Sequence, residues 1–346
     1  MKTTQNRGLT FFRTTGLFAV LVALLLPASA SAADSIYWSR EDGSNSIRFG
    51  PLTGSTPAQT LFDDGGAPCG IAANPAAGKI YWANFSTNEI RVGNLNGTGT
   101  PLTLFTDPGG SAPSGVAIDP ANNKIYWTNQ FSDEVRAGNL DGSGFAQSLF
   151  SGEDNPIGVA ADPAAGKIYW TDLNAGTVRV GPLGGSTVGA AQTLFNSSTP
   201  SGPAIDPTTN KIYWTSWTSG LGIRVGNRDG TGTVSTLFGG EGASLFAALV
   251  KAPVNTGRPN ISGGAKVGKE MTCQNGTWAP DLLGAFLYRA PASFGNYQWQ
   301  KDGSPIATGQ TFTPSLAGDY TCTLTATNQA GSTPSQTSSV KKVKAR

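Results

Sequence analysis

The sequence contains no histidine. That absence removes His-dependent triads, His–metal sites and the commonest general acid/base at neutral pH. Charge is scarce as well: 13 % of the residues are Asp, Glu, Lys or Arg, and there are only three cysteines. After the N-terminal segment no apolar run reaches the ~18 residues of a spanning helix, so no membrane span is expected. Glycine is plentiful, at 46 of 346 residues, and Ser and Thr are abundant. That mix suits many short strands joined by tight turns and argues against a helical protein.

The N-terminus reads as an export signal. Lys2, Arg7 and Arg13 precede the apolar run Leu17–Leu26, and the small residues Ala28-Ser29-Ala30-Ser31-Ala32 follow. Residues 1–32 are therefore expected to be a signal peptide cleaved after Ala32, which implies a secreted, extracellular or cell-surface protein of bacterial style. Residues 33–250 then carry 11 Lys/Arg against 18 Asp/Glu. A mildly acidic body offers no grip on nucleic acid. The basic end Lys341-Lys342-Val343-Lys344-Ala345-Arg346 reads as a solvated tail or a contact to an anionic surface.

An internal repeat organises the chain. Tyr-Trp occurs at Tyr37-Trp38, Tyr81-Trp82, Tyr126-Trp127, Tyr169-Trp170 and Tyr213-Trp214, always 43–45 residues apart. One copy runs Gly115–Pro120, Lys124–Thr128, Glu134–Gly142 and Gln147–Phe150. Each piece alternates apolar and polar residues, so one repeat is expected to be a four-stranded antiparallel sheet. Asn74-Pro75, Asp119-Pro120, Asp162-Pro163 and Asp206-Pro207 mark a turn after the first strand. Gly78, Asn123, Gly166 and Asn210 follow, the residue types that enter the left-handed region readily.

A lone sheet of four short strands cannot bury its faces, and copies at this period close radially into a β-propeller. The chain enters at the second-strand slot, Ser35–Trp38, and leaves at the first-strand slot, Gly242–Val250. The expectation is an all-β fold with five blades over residues 33–252, closed by pairing the N- and C-terminal strands, with six blades as the alternative.

The phrase resembles the YWTD repeat of low-density-lipoprotein-receptor class B propellers, through Tyr-Trp, the following Ile/Val-Arg and the Leu-Asp-Gly-type turn. Only Tyr169-Trp170-Thr171-Asp172 carries the full tetrad. Propellers of that family have six blades, whereas this chain shows five units. The resemblance implies extracellular protein recognition and names no partner.

Pro253–Gly257 reads as a linker. Beyond it Cys273, Trp299 and Cys322, with Tyr320 two residues before the second Cys, resemble an immunoglobulin-like sandwich over 258–343, with 344–346 as the basic end. That resemblance implies strands at Tyr297–Lys301 and Tyr320–Asn328 and a Cys273–Cys322 disulfide. Cys69 is left over, either a small, partly buried residue or a reactive thiol.

The candidate functional residues each carry two readings. The Tyr-Trp pairs are inter-blade core or an aromatic platform for sugars. Arg48, Arg91, Arg136, Arg179 and Arg224 fall ten or eleven residues after each Tyr. They are expected opposite Tyr, in a structural cation–π or carboxylate contact, or as an anion-binding ring. Asp63, Asp64, Glu153, Asp154 and Glu241 read as non-repeating acidic residues on solvated loops, or as a weak calcium site. Sequons at Asn84, Asn96, Asn196, Asn260 and Asn275 are common in so Asn/Ser/Thr-rich a chain. No catalytic residue and no resident cofactor are expected. The function expected is non-catalytic binding by propeller loops, with the C-terminal module as spacer or second contact. The alternative is a carboxylate/calcium-dependent propeller hydrolase or lyase.

Overall fold

The computed structural model describes residues 35–40, 45–51, 57–186, 189–218, 222–240, 246, 248–328 and 330–345. The segment read as a signal peptide, Glu241, most of the closing segment 242–247 and Arg346 lie outside the described residues.

Five antiparallel sheets follow the five repeats, here called blades one to five. Blade two is Pro68–Asn74, Lys79–Asn84, Glu89–Asn94 and Leu102–Thr106, in sequential order from the inner edge outward. Blades three, four and five repeat it, with inner strands Pro113–Asp119, Pro156–Asp162 and Pro200–Asp206. Blade one holds Ser35–Arg40, Ser46–Pro51 and Gln59–Asp63. The architecture is an all-β propeller.

The turn after each inner strand has its expected shape. Asn74, Asp119 and Asp162 cap a single 3-10 turn through the side-chain oxygen, at 3.2–3.3 Å from the backbone N–H three residues on. Gly78 (φ 63°), Asn123 (φ 53°) and Gly166 (φ 63°) then end it in the left-handed region.

Each blade also has a β-bulge between its third and fourth strands, immediately before the arginine. In blade two Ile90 pairs with Phe105 and Arg91 with Thr103, so Leu104 is the extra residue. The same skip occurs at Leu61, Leu149, Leu194 and Leu237. A bulge lets two consecutive residues serve one face of a strand. Leu and Phe of the repeated Leu-Phe pair therefore both meet the next blade. Leu61 packs on the turn at Gly97, and Phe62 lies on Gly93.

Three expectations need correction. The closing segment was expected to pair with blade one; its described part, Leu249–Val250, instead pairs in parallel with Leu287–Tyr288. Among the described residues nothing pairs with the inner edge of Ser35–Arg40. The stretch read as a linker holds a short strand, Asn255–Gly257, in which Asn255 pairs with Trp278 and Gly257 with Thr277, because the breaking prolines lie outside it. Finally, the basic end is not wholly frayed. Lys341–Val343 pairs with Gly318–Tyr320, and Val343 is buried.

The C-terminal sheets enclose a core of Ile261, Met271, Trp299, Tyr320 and Leu324 around a Cys273–Cys322 disulfide. The two cysteines sit on different sheets, so the bridge ties the layers together. Trp299 lies opposite Cys322 in the register, and Tyr320 donates its hydroxyl to the Leu316 carbonyl at 2.8 Å.

Candidate recognition face and blade junctions

The repeated residues build the seams between blades. Trp82, Trp127, Trp170 and Trp214 are fully buried, each stacked on a Phe from the preceding blade. The pairs are Phe62–Trp82, Phe105–Trp127, Phe150–Trp170 and Phe195–Trp214, with centroids 4.7–5.7 Å apart. The indole N–H then donates back across the seam: Trp82 to Asp64 (2.7 Å), Trp127 to Asp107 (2.7 Å), Trp170 to Glu153 (2.8 Å) and Trp214 to the Ser197 hydroxyl (2.9 Å). The tryptophans are thus core at these four positions, whereas Tyr213 is only part-buried. Tyr81, Tyr126 and Tyr169 are buried on the other side of the same strands.

The arginines face Trp, not Tyr. The register sets Arg91 opposite Trp82, Arg136 opposite Trp127, Arg179 opposite Trp170, Arg224 opposite Trp214 and Arg48 opposite Trp38. Counting from Tyr missed by one residue, and one residue changes the face of a strand. Arg91, Arg136 and Arg179 lie over the indoles at 5.6–6.0 Å. They pair with Asp64, Asp107 and Glu153 at 3.2, 3.4 and 2.8 Å. These three therefore contribute to no anion-binding ring.

Asp64 and Glu153 correct the solvated-loop reading. Together with Asp107, which the sequence reading passed over, they are buried and repeat structurally. Asp63 and Asp154 are exposed as expected. Among the described residues no group of three or more Asp, Glu, Cys or His could hold a metal ion.

One seam differs. Asn84 and Asn129 donate to Asp64 and Asp107 at 2.7 and 2.9 Å, but blade four has Asp172 at this position. Asp172 is fully buried beside Glu153, and its carboxyl is pushed up to about 8 by burial and by the Glu153 charge, with Arg179 opposing. Protonated, it can donate as the asparagines do.

The two faces of the propeller are unlike. At the start of the inner strands, a Cβ on Gly70 or Gly115 would lie 2.4–2.5 Å from a carbonyl of the neighbouring inner strand, so these strands approach as only glycine allows. Cys69 sits there, part-buried, its carbonyl accepting from the Ser39 hydroxyl. At the other end the C-terminal segment Leu282–Tyr288 fills the axis. Ala285 and Leu287 join the core between blades four and five, Leu283 packs on that between two and three, and Phe286 touches a third core. Gly284 sits so close that a Cβ would lie 2.8 Å from the Ile118 carbonyl and 3.1 Å from that of Ala161.

The opposite face carries an apolar arc. The loops after the Tyr-Trp strands are held by backbone bonds from Phe85 to Ala67, Phe131 to Ser111, Leu173 to Asn155 and Trp217 to Thr199, at 2.9–3.1 Å. Phe131 and Trp217 are exposed, and Phe85 meets Phe131 edge-on at 5.5 Å across neighbouring blades. The sequence reading missed these residues because they vary from copy to copy.

No family model and no curated protein matches the chain. Among solved structures it is similar to a chain of a nidogen/laminin complex, with 22 % identity, a TM-score of 0.51, and coverage of 69 % of this chain and 88 % of that one. It is also similar to a streptogramin B lyase (16 % identity, TM-score 0.47, covering 60 % and 66 %). A putative 6-phosphogluconolactonase from Bacteroides fragilis matches at 13 % identity and a TM-score of 0.45, covering 60 % and 68 %. At these identities the likeness extends to the fold alone.

Proposed function

We propose that this is a secreted, non-catalytic recognition protein whose propeller face around Phe85, Phe131, Leu173 and Trp217 binds an extracellular protein or glycan. One observation carries the reading: aromatic side chains stand exposed on stapled loops at one end of the propeller, while the chain's own Leu282–Tyr288 occupies the other. Aromatic anchors held on rigid loops are what binding hot spots are made of. The C-terminal module is more than a spacer, because it supplies the hub of the propeller. Further support comes from the acidic groups: Asp64, Asp107 and Glu153 already face indoles and guanidinium groups. No helix among the described residues is long and apolar enough to cross a membrane.

The test is binding of the purified chain to a glycan array and to a panel of purified extracellular-matrix and cell-wall proteins. A hit that Phe131→Ala with Trp217→Ala removes, and that Phe145→Ala on an unrelated turn leaves intact, supports the reading. A hit indifferent to all three substitutions places recognition elsewhere.

A second reading, a carboxylate/calcium-dependent hydrolase or lyase, draws on the Glu153–Asp172 pair. A calcium-dependent rise in melting temperature, reversed by EDTA, would favour it.

A further inference from the structure

Blades two to five each enter their inner strand through a residue in the left-handed region. Ala67 (φ 53°), Ala112 (φ 53°), Asn155 (φ 61°) and Thr199 (φ 45°) stand just before Pro68, Pro113, Pro156 and Pro200. The carbonyl of each accepts a backbone N–H from the loop after the Tyr-Trp strand, that of Phe85, Gln130, Leu173 or Trp217, at 2.9–3.1 Å. This backbone shape suits Asn better than Ala, and a β-branched residue is an outlier in it. Thr199 is the most strained of the four.

What blade five has in return is a side-chain clamp. The Thr199 hydroxyl accepts the Thr218 N–H at 3.1 Å and donates to the Thr218 hydroxyl at 2.8 Å, with the Ser216 hydroxyl 3.1 Å away. Ser216 donates to the Ser198 carbonyl at 3.2 Å. Trp217 lies between these two tied residues, its own N–H on the Thr199 carbonyl at 2.9 Å. In blades two and three the residue in the place of Ser216 serves the seam instead: Asn84 and Asn129 donate to Asp64 and Asp107. Blade five lacks that bond at both ends, with Ser197 for the carboxylate and Ser216 for the asparagine. These departures coincide with Trp217, which at 45 % is the one exposed tryptophan among the described residues.

We infer that Trp217 is the principal anchor of the recognition face and that Thr199 is its positioning residue; this rests on the reading that the face binds. Copies that agree show what the fold requires, and a copy that breaks several local rules at one spot marks function there. Three rules give way here within two adjoining loops: the seam carboxylate, the seam asparagine and the less strained left-handed residue. Packing does not require Trp217, because its ring stands largely in solvent. Phe131 is held through its backbone, N–H to the Ser111 carbonyl at 3.1 Å, whereas Trp217 has such a bond and tied hydroxyls on both neighbours. An indole held still before contact loses little side-chain freedom on binding, and a few such rigid aromatic groups dominate an interface.

The experiment compares Thr199→Ala with Thr199→Ser in the full chain carrying 5-fluorotryptophan, the Trp217 fluorine resonance being identified by its loss in Trp217→Phe. Ala67 and Ala112 already hold the same backbone shape, so Thr199→Ala keeps the fold and removes only the clamp. The Trp217 line should narrow at least about twofold in Thr199→Ala, because a released ring moves faster than the molecule tumbles. The buried tryptophan lines should stay as they are, and Thr199→Ser should restore the parent line. Should Thr199→Ala fail to fold, Thr218→Val, which removes the hydroxyl acceptor, reads the same clamp. A Trp217 line indifferent to these substitutions, or a change shared by every tryptophan, overturns the positioning role. On the glycan array and the panel of matrix and cell-wall proteins, Trp217→Ala should weaken hits on this face at least about tenfold and more than Phe131→Ala does. Thr199→Ala should weaken them at least about threefold, with Thr199→Ser rescuing the signal. Phe131→Ala costing more than Trp217→Ala overturns the anchor. Hits that ignore both substitutions overturn it together with the recognition reading, and the fluorine line then judges Thr199 by itself.

Discussion

Trp170 donates its indole N–H to Glu153 at 2.8 Å, and Arg179 reaches the same carboxylate at 2.8 Å from the strand beside it. One acceptor from the preceding blade thus serves two donors of the next, in a seam otherwise made of stacked rings. Buried charge is tolerated there because it is paired and hydrogen-bonded. The seam between blades four and five lacks this device, because Ser197 stands in for the carboxylate and the Trp214 indole donates to its hydroxyl instead.

Ser197→Asp should therefore stabilise the protein. Asp64 and Asp107 occupy the same place, two residues after Phe, so the substitution copies a geometry that the chain already uses. A charge-assisted bond to Arg224 contributes about 1–2 kcal/mol. Thermal unfolding should show a rise of a few degrees, and Arg224→Gln should abolish it.

Gly138→Ala should destabilise by about 1–3 kcal/mol, since the new methyl would sit 2.4 Å from the Phe105 ring in a packed seam. Phe105→Leu in the same chain should recover part of the loss. Denaturant titration of the two single variants and the double variant measures the coupling.

Asp172 gives the fold a pH dependence of definite sign. Its carboxyl is raised to about 8 in the native state, against about 4 for an unfolded Asp. Its contribution is fully present below about pH 4 and is lost as pH rises through 8. Asp172→Asn should donate to Glu153 without a proton to lose. Its melting temperature should exceed that of the parent at pH 8–9 by several degrees, and the two should converge near pH 4.

Reduction of Cys273–Cys322 should lower stability by about 2–4 kcal/mol, because the bridge closes a long loop in a small core. Melting curves with and without reductant, beside a Cys273→Ser/Cys322→Ser chain, measure it.

Much of the propeller was legible because its signals are local. Tyr-Trp marks a strand with both faces covered, and Asn/Asp-Pro followed by Gly or Asn marks one turn shape. The acceptors of the seams were hidden by a slip in spacing. Asp64 and Asp107 follow Phe by two residues and Glu153 by three, with Ser at 197, so no column of carboxylates stands out in the sequence. Arg and Trp were mispaired by one residue for want of the strand register. The hub was out of reach altogether, since Leu282–Tyr288 belongs to no repeat and its neighbours are distant in the chain.

That hub fixes an order of events. A polypeptide made from its N-terminus delivers all five repeats before the residues that cork their axis. Until Leu287 arrives, the ends of the inner strands lack the apolar segment that covers them, and the unfinished chain leaves that surface to solvent. Whatever delays the C-terminal sheets, slow oxidation of Cys273 and Cys322 included, prolongs that vulnerable interval for the repeats upstream.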